Sequence, residues 1–350
     1  MRETIMKLFD DKKSKRNVSV VFFLVLLVLP VLIRLVCDNG QQNYFLNIFI
    51  MCFYWAALTS SWNLVAGYLG IFSMAHQVFF GIGAYATAMF GLYAGTSPWL
   101  GFLIGGVCAA FVSVVIAVPC LRLKKAPYII IATMVLAEIV RLVFTNLKTW
   151  TRGSSGFWQI RSYENISGID FSGMDKIPYY YLILLIFAVI VGACAYIVKS
   201  PTGLAMEAIR ESQEAAEAIG VNIARTKIKV FVVSAFMAGV VGAFYAHYMK
   251  ILTPDAMFGQ NLMTEFIAMS LFGGTGIISG PIFGAFFITI LMESLKSLAN
   301  YKLFIYAGIL ILVMIFLPGG VLNSKSEFTS GTNKLKKRFN KKSGKAAGTK

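Results

Sequence analysis

The sequence predicts an all-α, polytopic membrane protein with about ten transmembrane helices and both termini in the cytoplasm. Three observations predict this. Apolar residues make up 57% of the chain and charged residues 14%, against roughly 25% charged in a soluble domain. Apolar runs close to the ~18 residues that a bilayer requires recur along its length. Basic residues gather in segments that alternate threading places on one side, the pattern of cytoplasmic loops.

The predicted spans are 18–36, 44–66, 71–94, 98–118, 127–147, 179–198, 228–249, 264–278, 281–298 and 303–318. The eighth has 15 residues and reads also as a re-entrant or bundle-buried segment. Together they form a membrane domain over 18–318, between a basic N-terminus, 1–17, and a basic tail, 319–350. The first run follows basic residues, as a secretory signal does. It is long, and Val36-Cys37-Asp38-Asn39 offers no small-residue cleavage site, so it reads as an uncleaved span.

Charge sets the orientation. Residues 1–17 hold six basic side chains against three acids, and the short connection 119–126 holds Arg122, Lys124 and Lys125. Segment 199–229 adds Lys199, Arg210, Arg225, Lys227 and Lys229. The tail carries nine basic residues against Glu327. Ten spans put all four on one side and the long loop 148–178 on the other. The tail supplies half of the net charge of +16. Its lysines suit anionic lipid headgroups and topology control. With almost no interleaved aromatic residues they do not suggest nucleic acid, and the composition predicts disorder.

Enzymatic readings lack parts. The chain has two histidines, His76 and His247, and no Gly-x-x-x-x-Gly-Lys-Ser/Thr phosphate loop. The five cysteines, Cys37, Cys52, Cys108, Cys120 and Cys194, fall in or at the ends of spans with no metal-site spacing. No catalytic residue, metal or bound cofactor is expected. Gly273-Gly274-Thr275-Gly276 and Gly280-Pro281-x-x-Gly284 lie between apolar spans, where glycine serves a sharp turn or close helix packing.

Segment 199–229 is the longest polar stretch between spans on the side read as cytoplasmic. Ser200 suits an N-cap, Pro201 the first helical position, and Gly220 the left-handed residue after the last turn. The spacing predicts one helix over 201–219. Leu204, Ala208, Ser212, Ala215 and Ile219 share a stripe, while Glu207, Arg210, Glu211, Glu214 and Glu217 lie off it. A small-faced, charged helix in this position suits docking of a partner protein; an ordinary surface helix is the alternative. In the fifth span Glu138 and Arg141 stand at i, i+3, close enough to pair. They read as a structural ion pair or as lining of a pathway.

Three stretches carry a family resemblance. The first is Trp62-Asn63-Leu64-x-x-Gly67-Tyr68-x-Gly70-x-x-Ser73-x-x-His76-x-x-Phe79-x-Gly81-x-Gly83-Ala84-Tyr85. The second is Ser200-Pro201-x-Gly203 leading to Ala208-Ile209-Arg210-Glu211 and Glu214-Ala215-Ala216-x-x-x-Gly220. The third is Gly273-Gly274-x-Gly276-x-x-x-Gly280-Pro281-x-x-Gly284-Ala285. In this order the chain resembles the inner-membrane permease subunits of bacterial ATP-binding-cassette importers for branched-chain amino acids.

The resemblance implies alternating access in the bacterial plasma membrane. A homologous second permease subunit would share the pathway, cytoplasmic ATPase subunits would use ATP, and an extracytoplasmic substrate-binding protein would deliver cargo. Arg210, Glu211, Glu214, Ala215, Ala216 and Gly220 would form the ATPase-coupling segment, although no Leu-Pro follows it. Leucine, isoleucine and valine are the implied cargo, with urea or short amides as the alternative; an autonomous secondary amino-acid carrier is a reading of another class. Breaks or close packing are expected at Gly67, Gly70, Gly273, Gly274, Gly280 and Pro281. Asn63, Ser73, His76 and Gln77 gather near the first break, where free backbone groups could meet a zwitterion. His76 reads also as an interhelical hydrogen-bonding residue.

Overall fold

A computed structural model describes residues 12–298 except 37–38, 122, 124–125, 166–169 and 172–174, together with 307–308, 311, 315 and 319–322. Residues 1–11, most of the predicted span 303–318 and the tail beyond 322 lie outside the described residues, as does Cys37. Most of the described chain is helical. The long helices are α1 (Lys12–Val36), α2 (Asn39–Asn63), α3 (His76–Tyr93), α4 (Gly101–Leu121), α5 (Ala126–Asn146) and α6 (Ile177–Lys199). After them come two short helices, α7 (Pro201–Glu211) and α8 (Gln213–Ala218), then α9 (Ile223–Met249), α10 (Pro254–Phe258), α11 (Gln260–Gly273) and α12 (Ser279–Ser294).

Five helices among the described residues are long and apolar enough to cross a membrane, not the ten expected: Gln41–Tyr68, Gly101–Cys120, Pro127–Asn146, Ile177–Lys199 and Ile223–Met249. The differences have local causes. In α1 the apolar stretch among the residues whose side chains are described is Phe23–Leu35. The expected span 71–94 begins only at His76, because residues 69–75 leave the helix. The expected span 264–278 is replaced by α11, which has 14 residues, about 21 Å at ~1.5 Å per residue. It stops where Gly274 takes φ +110°.

Helices α2 and α9 form the interior. The apolar windows of α2 and α9 are 78% and 61% buried, against 39%, 17% and 28% for α4, α5 and α6. The outer helices carry bare apolar side chains, such as Phe111, Val135, Ile139, Leu185 and Val189, as lipid-facing helices do. Lipid provides no hydrophobic drive between helices, so close van der Waals approach has to hold them. Glycine permits it where α3, α4 and α9 meet. A Cβ on Gly83 would lie 2.2 Å from the Gly239 carbonyl oxygen, one on Gly239 2.5 Å from that of Gly105, and one on Gly105 2.9 Å from that of Gly83. Three backbones touch in a closed ring. The α11–α12 hairpin is as tight, with Gly273 against Gly280 and Gly284 against Met269.

One end of the bundle is capped by residues 147–165, with 170–171 and 175–176. Phe157–Trp158 (β1) pairs antiparallel with Ile251–Leu252 (β2), in register Phe157 with Leu252 and Trp158 with Ile251. Tyr163 is buried and stacks on Phe102 at 5.4 Å, with Trp99 and Phe171 around it. His247 ties this cap to the helices: Nδ1 lies 2.7 Å from the Arg161 carbonyl and Nε2 2.9 Å from Thr87 Oγ1. Lys176 donates to Asn47 Oδ1 at 3.0 Å, and burial pushes its pKa below the ordinary lysine value. The opposite end holds residues 64–75, segment 200–222 and the turn 274–278.

Candidate functional site

Helix α2 does not end cleanly. Its last turn, Leu64–Tyr68, is π-helical: the Leu69 amide donates to the Leu64 carbonyl and the Ile71 amide to that of Val65. In an α-helix Ile71 would serve Gly67, four residues back. The wider turn therefore leaves the Gly67 carbonyl without its backbone donor. Arg210 of α7 supplies one, with Nη1 at 2.7 Å. The stem of Arg210 lies against Gly70, where an added Cβ would be 3.0 Å from Cγ, and its guanidinium against Gly276, where the distance would be 2.7 Å. Gly70 and Gly276 have φ +75° and +77°, in the left-handed region that favours glycine.

The two glycine breaks also touch each other. Asn63 Oδ1 accepts from the Gly276 amide at 2.9 Å and Asn63 Nδ2 donates to the Ile277 carbonyl at 3.0 Å. A Cβ on Gly67 would stand 2.4 Å from the Gly276 nitrogen. Asn63 is thus committed to clamping the α11–α12 turn onto the end of α2. Val321 and Leu322 donate to the carbonyls of Phe272 and Gly273, and Gly274 packs against Gly320. Pro281 is buried, and its carbonyl faces Thr59 Oγ1 at 3.4 Å.

Segment 200–222 departs from the expected single helix. Ser212 takes extended backbone, φ −160° and ψ 118°, and splits it into α7 and α8. The Ser212 hydroxyl then caps α8 by accepting from the Ala215 amide at 3.3 Å. Ser200 sits at the start of α7, but its hydroxyl donates to Ile197 and caps nothing. Gly220 takes φ +88° as its position predicts. Gly203, Met206, Ile209 and Ala216 are the buried face. Leu204 and Ile219 of the expected stripe are 69% and 76% exposed, with Ser212 and Ala215 bare between them. Glu207, Glu211, Glu214 and Glu217 are exposed as well. Lys229 reaches Thr202 and Lys227 reaches Gln213, each at 3.2 Å, bracing both short helices on α9.

Of the remaining expected pathway residues, Ser73, His76 and Gln77 are buried, while Glu138 and Arg141 are partly exposed. Ser73 Oγ accepts from the Ala75 amide and its carbonyl accepts from Trp62 Nε1 at 3.0 Å. His76 Nε2 lies 3.1 Å from Ser61 Oγ and 3.3 Å from Ser234 Oγ, joining α2, α3 and α9. Gln77 is fully buried, and neither end of its amide has a hydrogen-bond partner among the described residues. Glu138 and Arg141 pair as their spacing predicts, with Nε 3.0 Å from Oε2. Sequence reasoning missed the third member, Asp255 of α10, which also bonds Arg141. It missed Ser61 and Ser234 too, since isolated serines carry no local signal, and it placed Ser212 on a continuous helical stripe where Ser212 in fact breaks the helix. A separate cavity of about 180 Å³ lies between α2, α11 and α12, lined by Asn47, Met51, Trp55, Glu265, Met269 and Glu293.

A bundle of apolar helices with glycine-broken spans and a docked polar segment at one end defines a polytopic helical membrane protein. The chain belongs to the family described as branched-chain amino acid transport system / permease component, whose profile matches residues 44–316. It is 26% identical over 339 residues to the high-affinity branched-chain amino acid transport system permease protein LivM of Escherichia coli K12, covering 91% of this chain and 77% of that one. It is 25% identical to the corresponding LivH of Salmonella typhimurium, covering 77% and 91%. A shorter match, 39% of this chain at 26% identity, is to the xylose transport system permease protein XylH of Escherichia coli. No solved structure matches the chain.

Proposed function

We propose that this chain is one of two permease subunits of an ATP-binding-cassette importer in the bacterial plasma membrane, carrying leucine, isoleucine and valine. Separate cytoplasmic ATPase subunits drive alternating access, and an extracytoplasmic binding protein delivers cargo. On this reading segment 200–222 faces the cytoplasm, where the ATPase subunits are, and the Tyr163 cap faces outward.

The observation that carries the reading is the bare face of α7 and α8. Exposed Leu204 and Ile219, with small residues between them and four glutamates around them, make an apolar centre with a charged rim, the anatomy of a protein interface. The names of the relatives support the cargo.

The test is what accompanies the chain out of its native membrane. Gentle solubilisation followed by mass identification should yield an ATPase with a phosphate loop and a second permease. Leucine with the binding protein should then stimulate ATP hydrolysis. A chain that emerges alone and still transports after reconstitution is an autonomous secondary carrier, and the proposal fails.

A further inference from the structure

We infer that Arg210 is the residue that transmits movement of the docked segment into the membrane, by holding the two glycine breaks together through its guanidinium. The inference rests on the importer reading above and divides the labour within the segment. The glutamates and Leu204 and Ile219 face outward; Arg210 alone of the segment's charged side chains reaches a carbonyl of the bundle among the hydrogen bonds described.

Three contacts converge on this side chain. Its Nη1 holds the Gly67 carbonyl at 2.7 Å, the carbonyl that the π turn leaves without a backbone donor. Its stem runs over Gly70, and its guanidinium lies over Gly276. Both glycines are in left-handed backbone, and a Cβ on either would press on the arginine, 3.0 Å from Cγ at Gly70 and 2.7 Å from Nη1 at Gly276. Gly67 belongs to the end of α2 and Gly276 to the α11–α12 turn, so one guanidinium spans both, while Asn63 fastens them to each other. Among the other side chains of α7 and α8, Met206 and Ile209 are buried, and Thr202 and Gln213 accept hydrogen bonds from Lys229 and Lys227 at the foot of α9.

Guanidinium geometry suits the task. It is planar, permanently charged and carries several donors in a fixed fork, so it follows the helix that bears it and keeps its bond direction. A charge-assisted bond to a freed carbonyl is stronger than a neutral one. Displacement of α7 relative to the bundle therefore either pulls the α2 end and the α11–α12 turn with it or breaks this bond. A coupling of this kind needs two discrete arrangements that the docked partner biases, and backbone breaks at both contact points provide the compliance.

The experiment uses the whole complex purified from membranes and placed in liposomes with leucine, the binding protein and ATP. Arg210→Met keeps the aliphatic stem over Gly70 and removes the guanidinium; Arg210→Lys restores a charged donor without the fork. The readout is leucine imported per ATP hydrolysed, together with recovery of the ATPase subunits. A merely structural loss lowers the amount of complex and leaves the ratio alone. The expected result is normal recovery of the ATPase with the ratio down about tenfold in Arg210→Met, the scale of one charge-assisted hydrogen bond, and partly restored in Arg210→Lys. An unchanged ratio in Arg210→Met overturns the inference. So does loss of the ATPase from the Arg210→Met complex, which would make Arg210 a docking contact. If Arg210→Met does not accumulate, Arg210→Lys decides alone: a lowered ratio supports the inference and a wild-type ratio refutes it. Failure of the wild-type chain to bring down an ATPase is a different result, and sinks the importer reading itself.

Discussion

Replacing Gly239 by alanine tests whether backbone contact holds the interior together. The new Cβ would lie 2.5 Å from the Gly105 oxygen and 2.6 Å from the Ala109 Cβ, while ordinary contact between carbon atoms needs ~3.5–4.0 Å. Helices α4 and α9 must part by about 1 Å, and a 0.5–1 Å gap forfeits roughly a quarter to a half of each contact's attraction. Gly83 is drawn in, because its own position abuts the Gly239 carbonyl. Overpacking of this kind costs about 1–3 kcal/mol. Gly192→Ala is the matched control: it lies in the middle of α6, exposed, with nothing within 4 Å of an added Cβ. Both variants gain the same ~1 kcal/mol of helix propensity, so that contribution cancels. Reversible unfolding of the purified protein in mixed micelles should place Gly239→Ala about 1–3 kcal/mol below Gly192→Ala. Equal stability within about 0.5 kcal/mol would show that the helices are not in contact as described.

Three further outcomes are expected. Glu138→Gln should retain leucine uptake, since Arg141 keeps Asp255 as its carboxylate partner; loss of uptake with normal expression would return Glu138 to the pathway. Ser212→Ala removes the cap of a six-residue helix, about 0.5–2 kcal/mol, and should speed hydrogen exchange over residues 213–218 several-fold while α7 stays protected; unchanged exchange would mean the cap is idle. His247→Phe keeps the ring beside Tyr163 but strands Thr87 and the Arg161 carbonyl, at about 1–3 kcal/mol, and limited proteolysis should then cut faster between 150 and 165; a wild-type cleavage rate would show that the cap is held by aromatic packing alone.

The sequence made most of the helices legible because apolar runs are local. Ile177–Lys199 lies within two residues of its expected bounds, and Gly220 has the backbone its place after a helix demands. The breaks were less legible. Residues 201–219 read as continuous because every residue from Thr202 to Ile219 except Gly203 is at least tolerated in a helix, and the usual capping-box signal is missing: Ala215 stands where a glutamate or glutamine would follow Ser212. Arg210 sorted with the glutamates on a helical wheel, since nothing nearby in sequence shows that its partner, the Gly67 carbonyl, lies 143 positions away. Asn63 looked like a ligand for cargo because an amide within a span suggests chemistry; its bonds to Gly276 and Ile277 depend on a contact more than 210 residues distant. The Glu138–Arg141 pair was legible from i, i+3 spacing, and Asp255 was not, for the same reason of distance.

The π turn at Leu64–Tyr68 turns a question of contact into one of length. A helix holding one residue fewer there would close to α geometry, give the Gly67 position its own amide partner again, and rotate all that follows by about 100°. Neither the arginine nor the glycines would need to change for the link to vanish. Among related chains, the surplus residue between positions 63 and 71 is therefore the mark to look for: a gap of one in that stretch identifies a protein whose polar segment must grip its bundle by some other means.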